Sequence, residues 1–366
     1  MTGFDEYKRQ GEPEKKEKSE IWGAAVGLQR TDGLTPSDYL IETAKQNIEG
    51  SITIYEVKER LDDYYKAMPL KKDGDRTEEA DKVAVRIAEI LSERTFTFSP
   101  AEYVGIHKRL FAGIYKYAGR IRDYNISKAE WVLNGETVLY ASADSIKATL
   151  SYDFSQEKDH RYKGLSKKET AEHIARFISG IWQIHAFGEG NTRTTAVFAI
   201  KYLRSLGFDE NNDLFAENSW YFRNALVRAN YNDHKNGIYS ATEYLDHFFG
   251  NLLLNENNIL KNREMFVAGS SGQIKDGLPC DTVNSSNDTV NDTVSRRNDT
   301  ACLLSEMRRE RILSLIRKTP DITAARLAEK LGAGIATVKR DIKQLKGCGM
   351  IERTGSDKTG RWKVLK

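Results

Sequence analysis

The chain has 366 residues, with 39% apolar and 30% charged side chains, a formal net charge of +3 and 3 cysteines. That length implies two or more domains with a sizeable core. With no run of about 18 apolar residues a transmembrane helix is not expected, and cysteines at 280, 302 and 348 lack zinc-site spacing and favour a reducing cytoplasm.

In chain order, residues 1–20 are rich in Lys and Glu and have no signal-peptide core, and residues 21–33 add apolar side chains without a clear period. Residues 1–34 therefore read as a charged, partly disordered segment. Thr35-Pro36-Ser37-Asp38 is a helix start, and the helix over 39–48 ends at Glu49-Gly50. Further helices are predicted over 54–68, over 78–95 with Val83, Ile87, Ile90 and Leu91 on one side, and from Ser99-Pro100 to Phe111. Asn134-Gly135 lies between β-formers in residues 130–140, the signal of a two-residue hairpin turn. Helices over about 142–156, 166–184, 192–206, 217–230 and 240–260 complete a first domain, 35–266. Residues 267–302 repeat Asn-Asp-Thr at Asn287, Asn291 and Asn298 and read as a flexible linker.

Residues 303–366 read as a second domain. Helices over 310–317, 324–331 and 335–346 are followed by strands over 350–353 and 361–364 around a Gly-rich turn. This order resembles a winged helix–turn–helix. Residues 305–366 carry sixteen Lys+Arg against seven Asp+Glu, a surplus of +9 that leaves −6 on the rest. A basic end on an acidic body points to nucleic acid. Thr337, Lys339, Arg340, Lys343 and Lys346 would line the exposed face of the third helix toward DNA, with Lys358 and Arg361 reaching phosphates from the wing. A solvated basic face on a protein-interaction module is the other reading.

The chemistry concentrates in residues 185–193, His-Ala-Phe-Gly-Glu-Gly-Asn-Thr-Arg, between two apolar helices. Gly188 and Gly190 allow a tight turn and close approach to a ligand. The helix opening at Asn191 and Thr192 offers N–H groups to an anion, and Arg193 can reach a phosphate with a fork of donors. Glu189 is a single hard oxygen ligand, suited to Mg²⁺ carried by phosphates. His185 can take a proton near neutral pH.

This loop resembles the signature of the Fic (filamentation induced by cAMP) family, His-x-Phe-x-Asp/Glu-Gly-Asn-Gly-Arg, with Thr192 in place of the second glycine. The resemblance implies a mostly α fold, a Fic-type helical bundle with a β-hairpin flap, joined here to the small α+β winged-helix domain. It implies adenylyl transfer from ATP with Mg²⁺ to a Tyr, Ser or Thr hydroxyl of a protein or of the chain itself. His185 would be the base, Glu189 the metal ligand and Gly188, Gly190, Asn191, Thr192 and Arg193 the phosphate site. Asn230 matches an asparagine that approaches adenine, or is an ordinary helix cap. The segment 38–50 is similar to the family's inhibitory helix, with Glu49 as the inhibitory carboxylate. Lys45 and Ala196 stand where that pattern has Ser/Thr and a second arginine, so Glu49 would have Arg193 as its partner or be a plain helix end. A homodimer is also compatible with the family. Two rivals remain: Fic-type phosphotransfer, and a DNA-binding regulator whose Fic domain senses nucleotide.

Overall fold

The computed structural model describes residues 3–10, 12–68, 76–208 and 213–267, and, near the C-terminus, 312–313, 315–317, 322–331, 338, 342, 345–346, 351–354 and 361–364. The expected linker, 267–302, lies outside the described residues apart from Val267. The chain divides into two compact units, Met1–Thr282 and Val283–Lys366. No helix among the described residues is long and apolar enough to cross a membrane.

The first unit is helical: α1 (Asp5–Gln10), α2 (Pro13–Gly27), α3 (Asp38–Ile48), α4 (Ile54–Ala67), α5 (Thr77–Ser92), α6 (Pro100–Phe111), α7 (Ile146–Asp159), α8 (Lys167–Ile184), α9 (Asn191–Ser205), α10 (Asp213–Ala229) and α11 (Glu243–Leu254). Local chemistry sets many starts. Ser37 accepts from the Leu40 N–H, Ser99 caps α6 ahead of Pro100, and Thr53/Glu56 and Ser166/Glu169 form reciprocal capping boxes. Helix α9 is the centre. Its buried residues run from Asn191 to Leu203 without a gap, because α5, α6 and α8 surround it. A helix enclosed on every side has no polar face to spare.

Three expectations need correction. Residues 5–27 are two helices rather than a partly disordered segment. Their Lys and Glu residues hide a buried apolar set, Phe4, Tyr7, Ile21, Trp22, Ala24 and Ala25, and α2 packs against α5 and α10. The Trp22 indole donates to Asn47 Oδ1 at 2.9 Å, and Ser219 Oγ on α10 donates to the Gly27 carbonyl at 2.7 Å. Next, residues 130–140 turn at Asn134 and Gly135, both at positive φ, but Trp131–Leu133 form a 3-10 turn and no strand ladder follows. The Glu130 N–H reaches the Glu136 carbonyl, and the Lys128 N–H goes to Thr137 Oγ1, so side chain and turn replace the ladder. Third, the last helix stops at Leu254, where Asn255 adopts the left-handed conformation that ends helices.

In the second unit α12 (Ala324–Leu331) begins after Thr323, whose hydroxyl accepts from the Arg326 N–H. Strands β1 (Ile351–Thr354) and β2 (Arg361–Val364) pair antiparallel, with Ile351 opposite Val364. Ile312, Ile316, Leu327, Val338, Ile342 and Trp362 share one core, and the Trp362 indole donates to the Ile322 carbonyl.

Candidate active site

Helix α8 ends at His185, which takes a left-handed conformation with φ 51. Helix α9 begins after Gly190, a residue with φ 77 and no side chain to cap the first N–H groups. These two backbone reversals fold residues 185–190 into a tight loop. A Cβ on Gly190 would come within 2.4 Å of the Phe111 ring, and one on Gly188 within 2.6 Å of Tyr124 Oη. Gly190, at positive φ against the buried Phe111 ring, therefore excludes a side chain, whereas at Gly188 the exposed Tyr124 side chain would have to move aside.

The loop is held from inside and outside. Asn191 Oδ1 accepts from the Phe187 N–H at 3.0 Å, and its Nδ2 donates to the Phe187 carbonyl at 2.7 Å. His107 on α6 stacks on Phe187 with centroids 3.7 Å apart. The Gly119 N–H donates to His107 Nδ1, which makes Nε2 the donor to the Glu189 carbonyl, 3.0 Å away. That tautomer satisfies both ring nitrogens without charge. Burial is the main reason the His107 ring is pushed down to about 4, with the Arg193 charge adding to it against the Glu189 hydrogen bond. Arg122, itself buried, donates from Nε to the His185 carbonyl at 2.8 Å and from Nη1 to the Tyr124 carbonyl at 2.6 Å. Its backbone N–H goes to the Ala186 carbonyl.

The His185 imidazole is buried, 3% exposed. Burial first, then the Lys128 and Arg223 charges, holds its basicity well below the ordinary histidine range, so the ring is neutral at pH 7. The ring approaches the Trp182 carbonyl, yet its buried Nδ1 has no hydrogen bond of good geometry. Glu189 is half-exposed and accepts from Lys128 Nζ at 2.9 Å. A cation thus already faces the carboxylate that the sequence marks as a metal ligand.

Other expected residues have different tasks. Thr192 turns its hydroxyl inward to accept from the Trp182 indole at 3.0 Å, which leaves only its backbone N–H for a ligand. The side chain that replaces glycine is therefore absorbed by the core. Arg193 is fully buried. Its Nη2 donates to Glu79 Oε1 at 2.8 Å and to Tyr115 Oη at 3.2 Å, and its Nη1 to Gln29 Oε1 at 3.1 Å. Nε lies 2.6 Å from Asp32 Oδ2, a close ion pair without hydrogen-bond alignment. The guanidinium also covers the Phe111 ring at 4.8 Å. Every donor thus faces the protein, and the phosphate fork expected of Arg193 is turned away from solvent. Burial works against the Glu79 charge, but hydrogen bonds from Arg76 and Tyr115 together with Arg193 outweigh it and hold the carboxyl down at about 2.

Glu49 is not the carboxylate at Arg193. It ends α3, exposed, and accepts from the Tyr7 hydroxyl at 2.6 Å. Glu79 and Asp32 take the place expected for it, because α5 and the 3-10 turn Leu28–Asp32 reach α9 and α3 does not. Asn230 donates to Ser179 Oγ at 2.8 Å and to the Leu226 carbonyl, tying α10 to α8. Thr337, Lys339, Arg340, Lys343 and Lys358 lie outside the described residues, and for Arg361 only the backbone in β2 is described.

Sequence reasoning assigned no role to His107, Arg122 or Lys128. A histidine four residues before Phe111 on an apolar helix face reads as ordinary core, and nothing local shows that its partner is a carbonyl 82 residues away.

Residues 97–203 match the Fic/DOC family model, and residues 308–355 match an HTH domain model. The probable protein adenylyltransferase y4lH of Sinorhizobium fredii is 28% identical over 130 residues, 35% of this chain and 64% of that protein. The protein adenylyltransferase VbhT of Bartonella schoenbuchensis is 28% identical over 103 residues, 28% of this chain and 20% of that one. The chain thus spans less than two thirds of either relative. Among solved structures, BepC of Bartonella tribocorum, crystallised with AMPPNP, aligns at 20% identity and TM-score 0.38 over 51% of this chain and 94% of that chain. The N-terminal FIC domain of Bep8 from Bartonella sp. 1-1C aligns at 18% identity and TM-score 0.38 over 48% and 82%. The loop and both flanking helices thus lie in or beside the stretch 97–203 that matches the Fic/DOC family model, and the chain carries a Fic domain there and an HTH domain at residues 308–355.

Proposed function

We propose that this chain is a protein adenylyltransferase that moves AMP from ATP to a hydroxyl of a protein. The observation that carries the reading is a neutral, buried His185 at one end of a loop whose other end is the uncapped N-terminus of α9. The names of the two curated relatives support the reaction class. In the reaction the target oxygen bonds to the α-phosphorus, its proton passes to the His185 ring, the α–β phosphoanhydride bond breaks and pyrophosphate leaves. The backbone N–H groups of Gly190, Asn191 and Thr192 face the developing negative charge.

The residues fit a substrate-carried Mg²⁺ better than a resident one. Glu189 offers one half-exposed carboxylate already facing an ammonium group, and no cluster of three or more His, Cys, Asp or Glu that could hold a metal occurs among the described residues. Such an ion, held by Glu189 and the phosphates, would neutralise phosphate charge. Lys128, the cation next to Glu189, takes over the phosphate contact that the burial of Arg193 denies. The segment 128–141 presents the target: Leu139 is exposed between buried Val138 and Tyr140, the alternation of a strand open to pairing. The HTH domain, with its +9 surplus over residues 305–366, binds DNA.

The test uses ATP labelled at the α- or the γ-phosphate, with the chain itself and total cell protein as acceptors. Transfer of the α-label alone, abolished in His185→Ala, is the expected result. Transfer of the γ-label moves the assignment to phosphotransfer, and transfer of neither leaves a DNA-binding regulator.

A further inference from the structure

Beside the catalytic loop lies a chain of buried polar contacts that the proposed reaction does not use. Tyr140, at the end of the segment after Asn134-Gly135, places its ring 4.1 Å from the His185 ring, with the planes 35° apart. Trp182 meets the same imidazole edge-on at 5.3 Å. The Tyr140 hydroxyl donates to Glu130 Oε1 at 3.2 Å. Glu130, 2% exposed, takes Arg223 Nη2 on its other oxygen at 2.7 Å, and Arg223 Nη1 donates to the Thr31 carbonyl at 3.0 Å. The contacts run from the turn after α2, through α10, to the face of the base.

Packing alone does not call for this arrangement. A buried carboxylate paired with a largely covered guanidinium costs desolvation that an apolar pair of similar volume avoids. It ends on one hydroxyl, and that hydroxyl belongs to the side chain lying on His185. The His185 backbone is left-handed, so its ring leaves the regular rows of α8 and takes its orientation from Tyr140 and Trp182.

We propose that Tyr140 is a positioning residue for His185, held in place by Glu130 and Arg223, and that these three side chains set the orientation of the imidazole toward the incoming hydroxyl. This rests on the reading of His185 as the base. It also links the segment that presents the target to the group that deprotonates it, since Glu130 and Tyr140 bound that segment. Burial and the Lys128 and Arg223 charges keep the ring neutral, and Tyr140 meets it through a ring face rather than a hydrogen bond, so orientation is the property that Tyr140 fixes.

The test is carried out on the full chain with ¹⁵N-histidine labelling. The 6 histidines are few enough to assign, with His185→Ala identifying the signal of interest. Tyr140→Phe keeps the ring contact and removes the bond to Glu130, Glu130→Gln removes the charge, and Tyr140→Ala removes the contact. Each is compared with wild type by its far-ultraviolet circular dichroism. We expect the His185 ring-nitrogen shifts, and with them the balance of tautomers, to move in all three and most in Tyr140→Ala. We expect kcat for AMP transfer to fall about tenfold in Tyr140→Phe with the KM for ATP within about twofold, the pattern of a misplaced base. Unchanged His185 shifts in folded Tyr140→Phe and Tyr140→Ala overturn the proposal, as does a raised KM with kcat intact. If wild type transfers no AMP, the reading of the reaction fails, and the ring shifts then decide the positioning role by themselves.

Discussion

In sequence Arg193 is the loop's strongest phosphate-binding side chain, and the structure gives it an inward role. A guanidinium with no exposed surface, two carboxylates, an amide and a phenol around it serves as a strut between α9, α5 and the turn after α2. Its partners are 78 to 164 residues away in sequence, so no local pattern could reveal them. Thr192 differs: its hydroxyl is explained by an indole 10 residues earlier, on the helix before the loop. Removing the guanidinium leaves the largely covered Asp32 and Glu79 without it, though Glu79 keeps Arg76, at a cost of about 3 kcal/mol, the low end for a broken buried pair. Arg193→Ala is therefore expected to destabilise the folded chain by that amount in urea unfolding. An arginine acting only on a ligand would leave the nucleotide-free chain as stable as wild type.

At the scale of elements, the helix–loop–helix around 185–193 was legible because three signals coincide there: apolar periodicity, two glycines and a chemically dense loop. Helices α3 to α10 follow their expected bounds within a few residues, whereas α11 stops six residues short of its expected end. The failures have physical causes. Helices α1 and α2 bury Phe4, Tyr7, Ile21 and Trp22 beneath a majority of Lys and Glu, so composition conceals the face that packs. The turn at Asn134-Gly135 was legible, but the ladder expected beside it was replaced by contacts of Thr137 and Glu130. The joint between α6 and the loop was invisible, and it makes a pH prediction. His107 has its ring pushed down to about 4 in the folded chain, mainly by burial, against about 6.5 when unfolded. Between those values the unfolded state binds the extra proton, so stability is full above about pH 6.5 and falls as the pH drops toward 4, by about 3 kcal/mol. Urea unfolding from pH 7 to 4 measures this. In His107→Gln the loss across that window should shrink by the same amount, and equal slopes for both proteins would show that the ring does not titrate on unfolding.

For the whole molecule, an acidic helical unit and a basic HTH unit share one chain, and charge argues what each meets. Residues 305–366 carry +9 and the remainder −6, so attraction to a polyanion has to come from the C-terminal unit. Phosphate contacts release counterions, which makes DNA affinity fall with salt in proportion to the cations engaged, with a logarithmic slope of about −0.9 per phosphate. Lys339 and Arg340 stand in the stretch read as the recognition helix of the matched HTH domain. Replacing both with glutamate is expected to weaken binding of the full chain to mixed-sequence duplex DNA and to reduce the salt slope by about 2. Fluorescence anisotropy from 50 to 200 mM salt reads both quantities. The AMP transfer proposed for the Fic domain should continue at the wild-type rate in that variant with an added protein substrate, because residues 185–193 lie outside the HTH domain. An unchanged affinity and slope would assign the basic face to a protein partner and leave the HTH domain as an interaction module.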